Sequence, residues 1–219
     1  MRKLTGAAFL SLDGVMQAPG TPDEDRSNGF KLGGWLAGLY DEEFGEELDR
    51  LFAGPFDLLL GRRTYDIFAA YWPYNQDHPV GAMFQRANKY VLTHSDRPLE
   101  WDNSRRVESI DGLAQLKRGD GPHLVIQGSS TLYPQLLRAG LIDRLTLMTF
   151  PVVLGEGKRL FGEGTAPGTM RMVEHLVTAK GTVIASYEPA GEVATGTFAT
   201  KEPSQAELER REKVEEGSW

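Results

Sequence analysis

The sequence predicts an α/β fold with a mainly parallel central sheet and an antiparallel edge. Three observations carry this reading. Short apolar runs alternate with segments whose apolar residues recur at helical spacing, the pattern of a parallel sheet with crossover helices. Residues 124–161 hold that pattern in one unit. An apolar run (Leu124, Val125, Ile126) is followed by a small-residue turn, Gln127-Gly128-Ser129-Ser130-Thr131, then by Leu132, Leu136, Leu137 and Leu141 at helix spacing, then by a second apolar run over 145–150. Two late runs, 170–178 and 182–187, are joined by Ala179-Lys180-Gly181, which reads as a hairpin turn closing the sheet.

Taken in order, residues 3–12 form the first strand, mostly apolar and therefore central in the sheet. Ser11-Leu12-Asp13-Gly14 ends it in a turn. An irregular segment containing Gly and Pro runs to about Gly34, and a loop of that length in a compact domain is functional, mobile or a surface insertion. Residues 41–52 are helical, with Leu39, Phe44, Leu48, Leu51 and Phe52 on one apolar face. Glu43, Glu46, Glu47 and Asp49 read as its solvated face, and Gly54-Pro55 terminates it. A buried strand over 56–60 enters a short helix over 62–70 through Gly61-Arg62-Arg63-Thr64. A helix over 80–88, a strand over 89–93 ending at His94-Ser95, a short strand over 105–109 and a helix over 112–118 lead into the 124–161 unit. Beyond the hairpin, residues 193–198 are an edge-strand candidate. Ser204-Gln205-Ala206-Glu207 is a capping-box signature opening a charged helix to about Glu215. The division is a core of residues 1–188 and an extension of 189–219.

Length and composition exclude several classes. The 219 residues suffice for one well-buried domain with some excess. A net charge of -7 argues against a broad nucleic-acid surface while leaving room for a local basic pocket. The absence of cysteine removes disulfide, thiolate and Cys-ligated metal chemistry and fits a cytoplasmic setting. No apolar run approaches the roughly 20 residues of a membrane span. The amino-terminal stretch lacks the long apolar region of a signal peptide. His78, His123 and His175 show no metal-ligand spacing, so no metal site is expected.

Three strand ends carry small-polar or basic turns: Gly61-Arg62-Arg63-Thr64, Thr93-His94-Ser95 and Gly128-Ser129-Ser130-Thr131. Ligands of open α/β sheets bind outside the carboxyl ends of the strands. Free backbone N–H groups in such turns suit phosphate or diphosphate. Together the three turns point to an anionic cofactor; read separately, each is a loop shaped by geometry alone.

The set SLDG, GRRTY with YWP, VLTHS, VIQGSSTLYPQLL and LIDRL with PVVLGEGKRLF resembles the dihydrofolate reductase superfamily. It is most similar to the branch containing the reductase domain of bacterial riboflavin biosynthesis and its stand-alone relatives, over roughly residues 1–188. The resemblance implies a three-layer dihydrofolate reductase-like fold and NADPH as cofactor. It implies that Gly61 allows close approach, that Arg62 reaches the adenosine 2′-phosphate, and that Arg63 and Thr64 lie beside the diphosphate. Leu92, Thr93, His94 and Ser95 would line the adenosine side, and Gly128, Ser129, Ser130 and Thr131 would cradle the diphosphate. Ala7 and Ala8 would offer backbone groups to the nicotinamide carboxamide. The loop after Asp13 would cover the nicotinamide, mobile without cofactor and ordered by it.

The chain also departs from the family. The Gly-Gly pair of the diphosphate turn is Gln127-Gly128 here. The carboxylate that binds folate falls by spacing at Gly45, with Glu46 and Asp49 nearby, which argues against dihydrofolate as substrate. Asp13 is the remaining candidate for proton donor or substrate anchor, and alternatively a turn former before Gly14. Trp35 and Trp72 are candidates for stacking on an aromatic substrate or for packing. The expected activity is hydride transfer from NADPH to a small heteroaromatic or carbonyl compound, related to 5-amino-6-(5-phosphoribosylamino)uracil reductase and dihydrofolate reductase. The alternative is a non-catalytic nucleotide-binding or interaction protein. A homodimer is expected from the uncovered edge hairpin and from the resemblance.

Overall fold

The structure, a computed structural model, describes residues 1–218. One eight-stranded sheet organises it. In chain order its elements are β1 (Leu4–Ser11), α1 (Glu42–Leu51), β2 (Phe56–Gly61), α2 (Arg62–Tyr71), α3 (Pro79–Arg86), β3 (Lys89–Leu92), β4 (Ser104–Val107), α4 (Ile110–Arg118), β5 (His123–Gln127), α5 (Tyr133–Arg138), β6 (Arg144–Phe150), β7 (Met170–Val177), β8 (Val183–Pro189) and α6 (Gln205–Glu215). The strand order is β4-β3-β2-β5-β1-β6-β8-β7. Pairing is parallel from β4 to β6 and antiparallel for β6–β8 and β8–β7. The parallel sheet with an antiparallel edge hairpin is therefore present, with Gly181 at φ 82° in the hairpin turn.

Both faces of the parallel strands are covered, which is why they read as continuous apolar runs. Alternate residues go to opposite layers. Leu4, Ala8, Leu59, Leu124 and Ile126 pack with Leu113 of α4 and Leu136 of α5. Ala7, Leu58, Leu60, Val91 and Val125 pack with Tyr65 of α2, Phe84 of α3 and, at the margin, Leu48 and Leu51 of α1. Helices on both faces of one sheet make the three-layer arrangement. Local signals set the helix starts: Asp41 accepts from the Phe44 N–H, Ser109 from the Gly112 N–H and Ser204 from the Glu207 N–H, each a side-chain cap.

Two buried cations tie the amino ends of the strands. Arg2 forms an ion pair with Asp57, both almost wholly buried, and its guanidinium lies over the Tyr90 ring. Lys89 has no exposed surface; its Nζ donates to the carbonyls of Gln85 (3.1 Å) and Ala87 (3.0 Å) behind α3 and sits 4.2 Å from the Trp101 ring centroid. Burial lowers its pKa to about 8.

Two expectations change. Residues 193–198 form no strand: they have no ladder partner, and Phe198 is fully exposed. A strand needs a neighbour to hydrogen-bond, and after Pro189 the chain leaves the sheet. Glu47, expected on a solvated helix face, is buried and ion-paired with Arg50, since α1 lies closer to the sheet than its charge pattern suggests. The helix after β5 ends at Arg138, just ahead of Gly140 at φ 61°. Trp219, the end of the expected extension, lies outside the described residues.

The tail makes little contact with the core. α6 has no buried residue, and the last tie between tail and core is Thr169 donating to the Glu192 carbonyl (2.7 Å). Deleting residues 193–219 is expected to change unfolding stability by less than about 0.5 kcal/mol, as for exposed changes generally. Thermal unfolding of the shortened chain checks this.

Candidate functional site

Parallel pairing of β1 to β6 puts all their carboxyl ends on one edge of the sheet. Three of those ends meet there. The Gly61 N–H, at the end of β2, donates to Ser129 Oγ (2.8 Å) in the turn after β5. Gly128 and Ser129 both adopt left-handed backbone, φ 71° and 65°. At Gly128 the left-handed backbone favours glycine, and a Cβ there would press on Thr64 Cγ2 at 3.1 Å, so glycine eases the approach of the β5 turn to the start of α2. Ser129 accepts a cost of about 1 kcal/mol for its backbone, offset by the hydrogen bond its side chain makes.

A cavity of about 650 Å³ opens beside this junction. Gly61, Arg62, Arg63, Leu92, Thr93, His94 and Thr131, all expected at a cofactor site, line it. Thr64, Gly128 and Ser129 lie immediately behind, as the contacts just described require. Ser130 is half-buried in the same turn. Ser95 sits one step past the rim, its N–H donating to Thr93 Oγ1 (3.0 Å). Ala7 and Ala8 stand apart, 0% and 1% exposed in the middle of β1.

Electrostatically the cavity is positive, with three arginines (62, 63 and 97) against one carboxylate, Asp66. Arg62 is held on both sides: Nε donates to Asp66 Oδ1 (2.8 Å) and an Nη to the Arg97 carbonyl (2.8 Å). Asp66 also accepts from Arg97 (2.9 Å). Asp66, four residues on from Arg62, thus pairs with it and orients it rather than leaving it free. Arg97, Asp66, Ser109 and Gln135 had not been singled out as site residues. Asp66 carried a sequence signal, its spacing from Arg62; Arg97 reaches the site only through the 93–98 turn.

Beyond the junction, the sheet splits. β1 and β5 pair as far as Ala7 opposite Gln127, whereas β1 and β6 continue to Ser11 opposite Phe150. Past Ala7, β1 therefore has no strand neighbour on its β5 side. Tyr133 is fully buried against this strand, donates to the Ala7 carbonyl (3.4 Å), and fills the space a side chain at Gly6 would need. Burial pushes its phenol far above the usual range.

Asp13 is occupied structurally. Its carboxylate accepts from Ser11 Oγ (2.7 Å), from the N–H groups of Leu154 (3.0 Å) and Gly155 (2.9 Å), and from Arg159 (3.4 Å). Chiefly the Ser11 hydroxyl, then the Leu154 N–H, lowers its pKa to about 2. A carboxyl held as an anion accepts hydrogen bonds and delivers no proton near neutrality, so the geometry supports the turn-and-clamp role. The loop that follows is also tied down. Lys158 ion-pairs with Asp25 and donates to Ser27 Oγ (2.6 Å), and Gln17 Oε1 accepts from the Lys158 N–H (3.0 Å). Gly157, at φ 118°, permits this contact: a Cβ there would overlap Val15 and Phe30. Trp35 donates to the Gln17 carbonyl (2.9 Å) and packs edge-on to Phe150, while Trp72 packs among Phe68, Tyr71 and Phe84. Both are packing residues here. At Gly45 a Cβ would meet the Tyr40 hydroxyl, the far end of an exposed side chain. Among the described residues no His, Asp and Glu cluster is arranged to hold a metal.

Residues 2–184 match the sequence profile of the RibD C-terminal domain. The uncharacterised protein YyaP of Bacillus subtilis is 27% identical over 138 residues, 59% of this chain and 72% of YyaP. A putative riboflavin biosynthesis protein from Shewanella sp. PV-4 superposes with a TM-score of 0.59 at 22% identity, covering 86% of this chain and 99% of its own. Dihydrofolate reductase from Enterococcus faecalis, solved with NADP(H) and the ligand RAB-propyl, gives 0.55 at 18% identity, with coverage of 85% and 96%. A pyrimidine reductase-like protein from Corynebacterium diphtheriae gives 0.55 at 13%, with coverage of 87% and 93%. The fold is accordingly dihydrofolate reductase-like.

The clamp predicts a stability effect. A carboxyl whose folded pKa lies below its unfolded value stabilises above the unfolded pKa, and that contribution is lost as pH falls. For Asp13 the window runs from 3.8 down to about 2. Asp13→Asn, which turns an amide towards two N–H donors, is expected to cost about 1–2 kcal/mol at pH 7 and much less at pH 2. Denaturant titrations at the two pH values measure it. An equal cost at both would show that the charge is not what holds the clamp.

Proposed function

The chain belongs to the RibD C-terminal domain family, and on that premise we propose that it is an NADPH-dependent reductase of a small heteroaromatic or carbonyl substrate. The observation that carries the reading is the arginine-lined cavity at the carboxyl ends of β2 and β3, next to a left-handed turn after β5. The cofactor, when bound, supplies a hydride.

The chain's own residues do the rest. Arg62 and Arg97 meet the 2′-phosphate, with Asp66 fixing the angle between them; paired N–H donors suit a phosphate. Arg63, Thr64 and the turn over residues 128–131 take the diphosphate. Leu92, Thr93, His94 and Ser95 line the adenosine side. Ala7, at the point where β1 and β5 separate, marks the nicotinamide end. The loop over residues 14–34 shields that end from water, latched by Lys158 to Asp25 and Ser27.

No dedicated carboxylic acid is assigned for protonation. Asp13 is held as an anion, and Glu24, whose pKa is raised by burial, accepts from the Gly20 N–H (2.7 Å) within its own loop. The substrate in this reading takes its proton from water, which favours acceptors that need no strong acid. We also propose a homodimer formed through the edge hairpin. Its exposed Met172, Leu176, Val177 and Val183 leave an apolar margin on an open strand edge. A single-chain mass by sedimentation at micromolar concentration would contradict it.

The cofactor assignment is tested at Arg62. A charge-assisted hydrogen bond is worth roughly 1.5–3 kcal/mol. Asp66 shares the guanidinium, and about 1.4 kcal/mol is a factor of ten, so Arg62→Ala is expected to weaken NADPH on the order of tenfold. NADH should change by less than about twofold. Calorimetric titration with both cofactors decides. Equal weakening of the two, or none, would remove Arg62 as the phosphate reader.

A further inference from the structure

Gln127 is the last residue of β5, directly before the left-handed Gly128-Ser129 turn. Its side chain is 9% exposed, and its Oε1 is buried with no hydrogen-bond partner. The amide nitrogen makes no hydrogen bond among the described residues either. Leaving a buried amide oxygen unmet is costly, so such a group is normally matched by something. Strand alternation places Gln127 on the face of Val125, which is also the face of Ala7, its register partner. Immediately past that pair β1 and β5 separate. An unmatched buried amide thus stands at the mouth of a split in the sheet.

The proposed cofactor reading, on which this inference rests, supplies the direction of the ligand. The arginines gather at the β2 and β3 ends, so the doubly charged phosphate end goes there. The opposite end, which carries no phosphate, then lies two strands further along, at β5 and β1, roughly 10 Å away at the usual strand spacing. That end carries a primary carboxamide. One amide can pair with another through two reciprocal hydrogen bonds, N–H to O and O to H–N. The side-chain amide turns easily about its last bond, so either of its polar atoms can face the ligand.

We propose that Gln127 recognises the carboxamide of the nicotinamide ring and so positions the ring at the split between β1 and β5. Gln127 is a positioning residue and takes no part in proton or hydride movement.

The test uses three ligands and two proteins, read by calorimetry without turnover. The ligands are NADP⁺, its 3-acetylpyridine analogue, which has a methyl ketone and no N–H donor, and 2′,5′-ADP, which lacks the ring. The wild type is expected to bind NADP⁺ about tenfold more tightly than the analogue. Gln127→Met should bind NADP⁺ much more weakly than wild type and should weaken the analogue, which keeps one acceptor for the Gln127 N–H, by less, with 2′,5′-ADP unchanged. Because no internal hydrogen bond is lost, ligand-free Q127M should melt no lower than wild type. Equal loss of NADP⁺ and analogue, or no loss of either, overturns the proposal, as does a lowered melting point of ligand-free Q127M. If 2′,5′-ADP binds wild type while the ring ligands gain nothing from Gln127, only this inference falls. If the wild type binds none of the three, the cofactor reading itself falls, and this proposal with it.

Discussion

The hydrogen bond from the Gly61 N–H to Ser129 Oγ holds together the two turns that frame the arginine-lined cavity. β2 and β5 are neighbours in the sheet but distant in sequence, and each leaves its carboxyl end in a different turn. The bond locks the two turns at one height. Ser129 makes this bond from a left-handed backbone, and Gly128 beside it, also left-handed, lies close against Thr64. Arg62 and Arg63 follow Gly61 without a break, so fixing Gly61 fixes where the first two arginines start. The positive cavity follows from a packing constraint rather than from charge alone.

At the carboxyl end of β1, on the same edge of the sheet, an anion does similar work. Asp13 gathers Ser11, Leu154, Gly155 and Arg159. The glycine-rich stretch over residues 154–160 can therefore lie against the loop over 14–34, where Lys158 and Gln17 complete the latch. The same family of interactions, a carboxylate met by backbone N–H groups, also caps α1 at Asp41. One such contact ends a helix, and the other closes a wall over a strand end. The difference is only which backbone the carboxylate meets.

Much of this was legible in the sequence because the deciding interactions are local. Apolar runs locate five of the six strands of the parallel block, the exception being β4 with its Ser-Arg-Arg-Val, and Asp41 and Ser204 stand at helix starts. Spacing alone exposes the Arg62–Asp66 pair. What was not legible depends on distant neighbours. Residues 193–198 have the composition of a strand but nothing to pair with. Glu47 lies on a charged helix face, yet the face is turned far enough to bury it. Asp13 before Gly14 fits a proton donor and a clamp equally until Leu154 and Gly155 are seen beside it. Arg97 and the unmatched amide of Gln127 show themselves only once the turns after β3 and β5 are in place.

The central claim is that a phosphorylated dinucleotide lies across the carboxyl ends of β3, β2 and β5. Amide hydrogen exchange with and without NADPH tests it most directly. The account predicts slower exchange in residues 61–66, 92–97 and 127–132, and little change in the amino-terminal ends of the same strands. Protection centred instead on the smaller cavity of about 260 Å³ at the opposite end, lined by Thr5, Glu47, His123 and Arg144, or no protection at saturating NADPH, would contradict it.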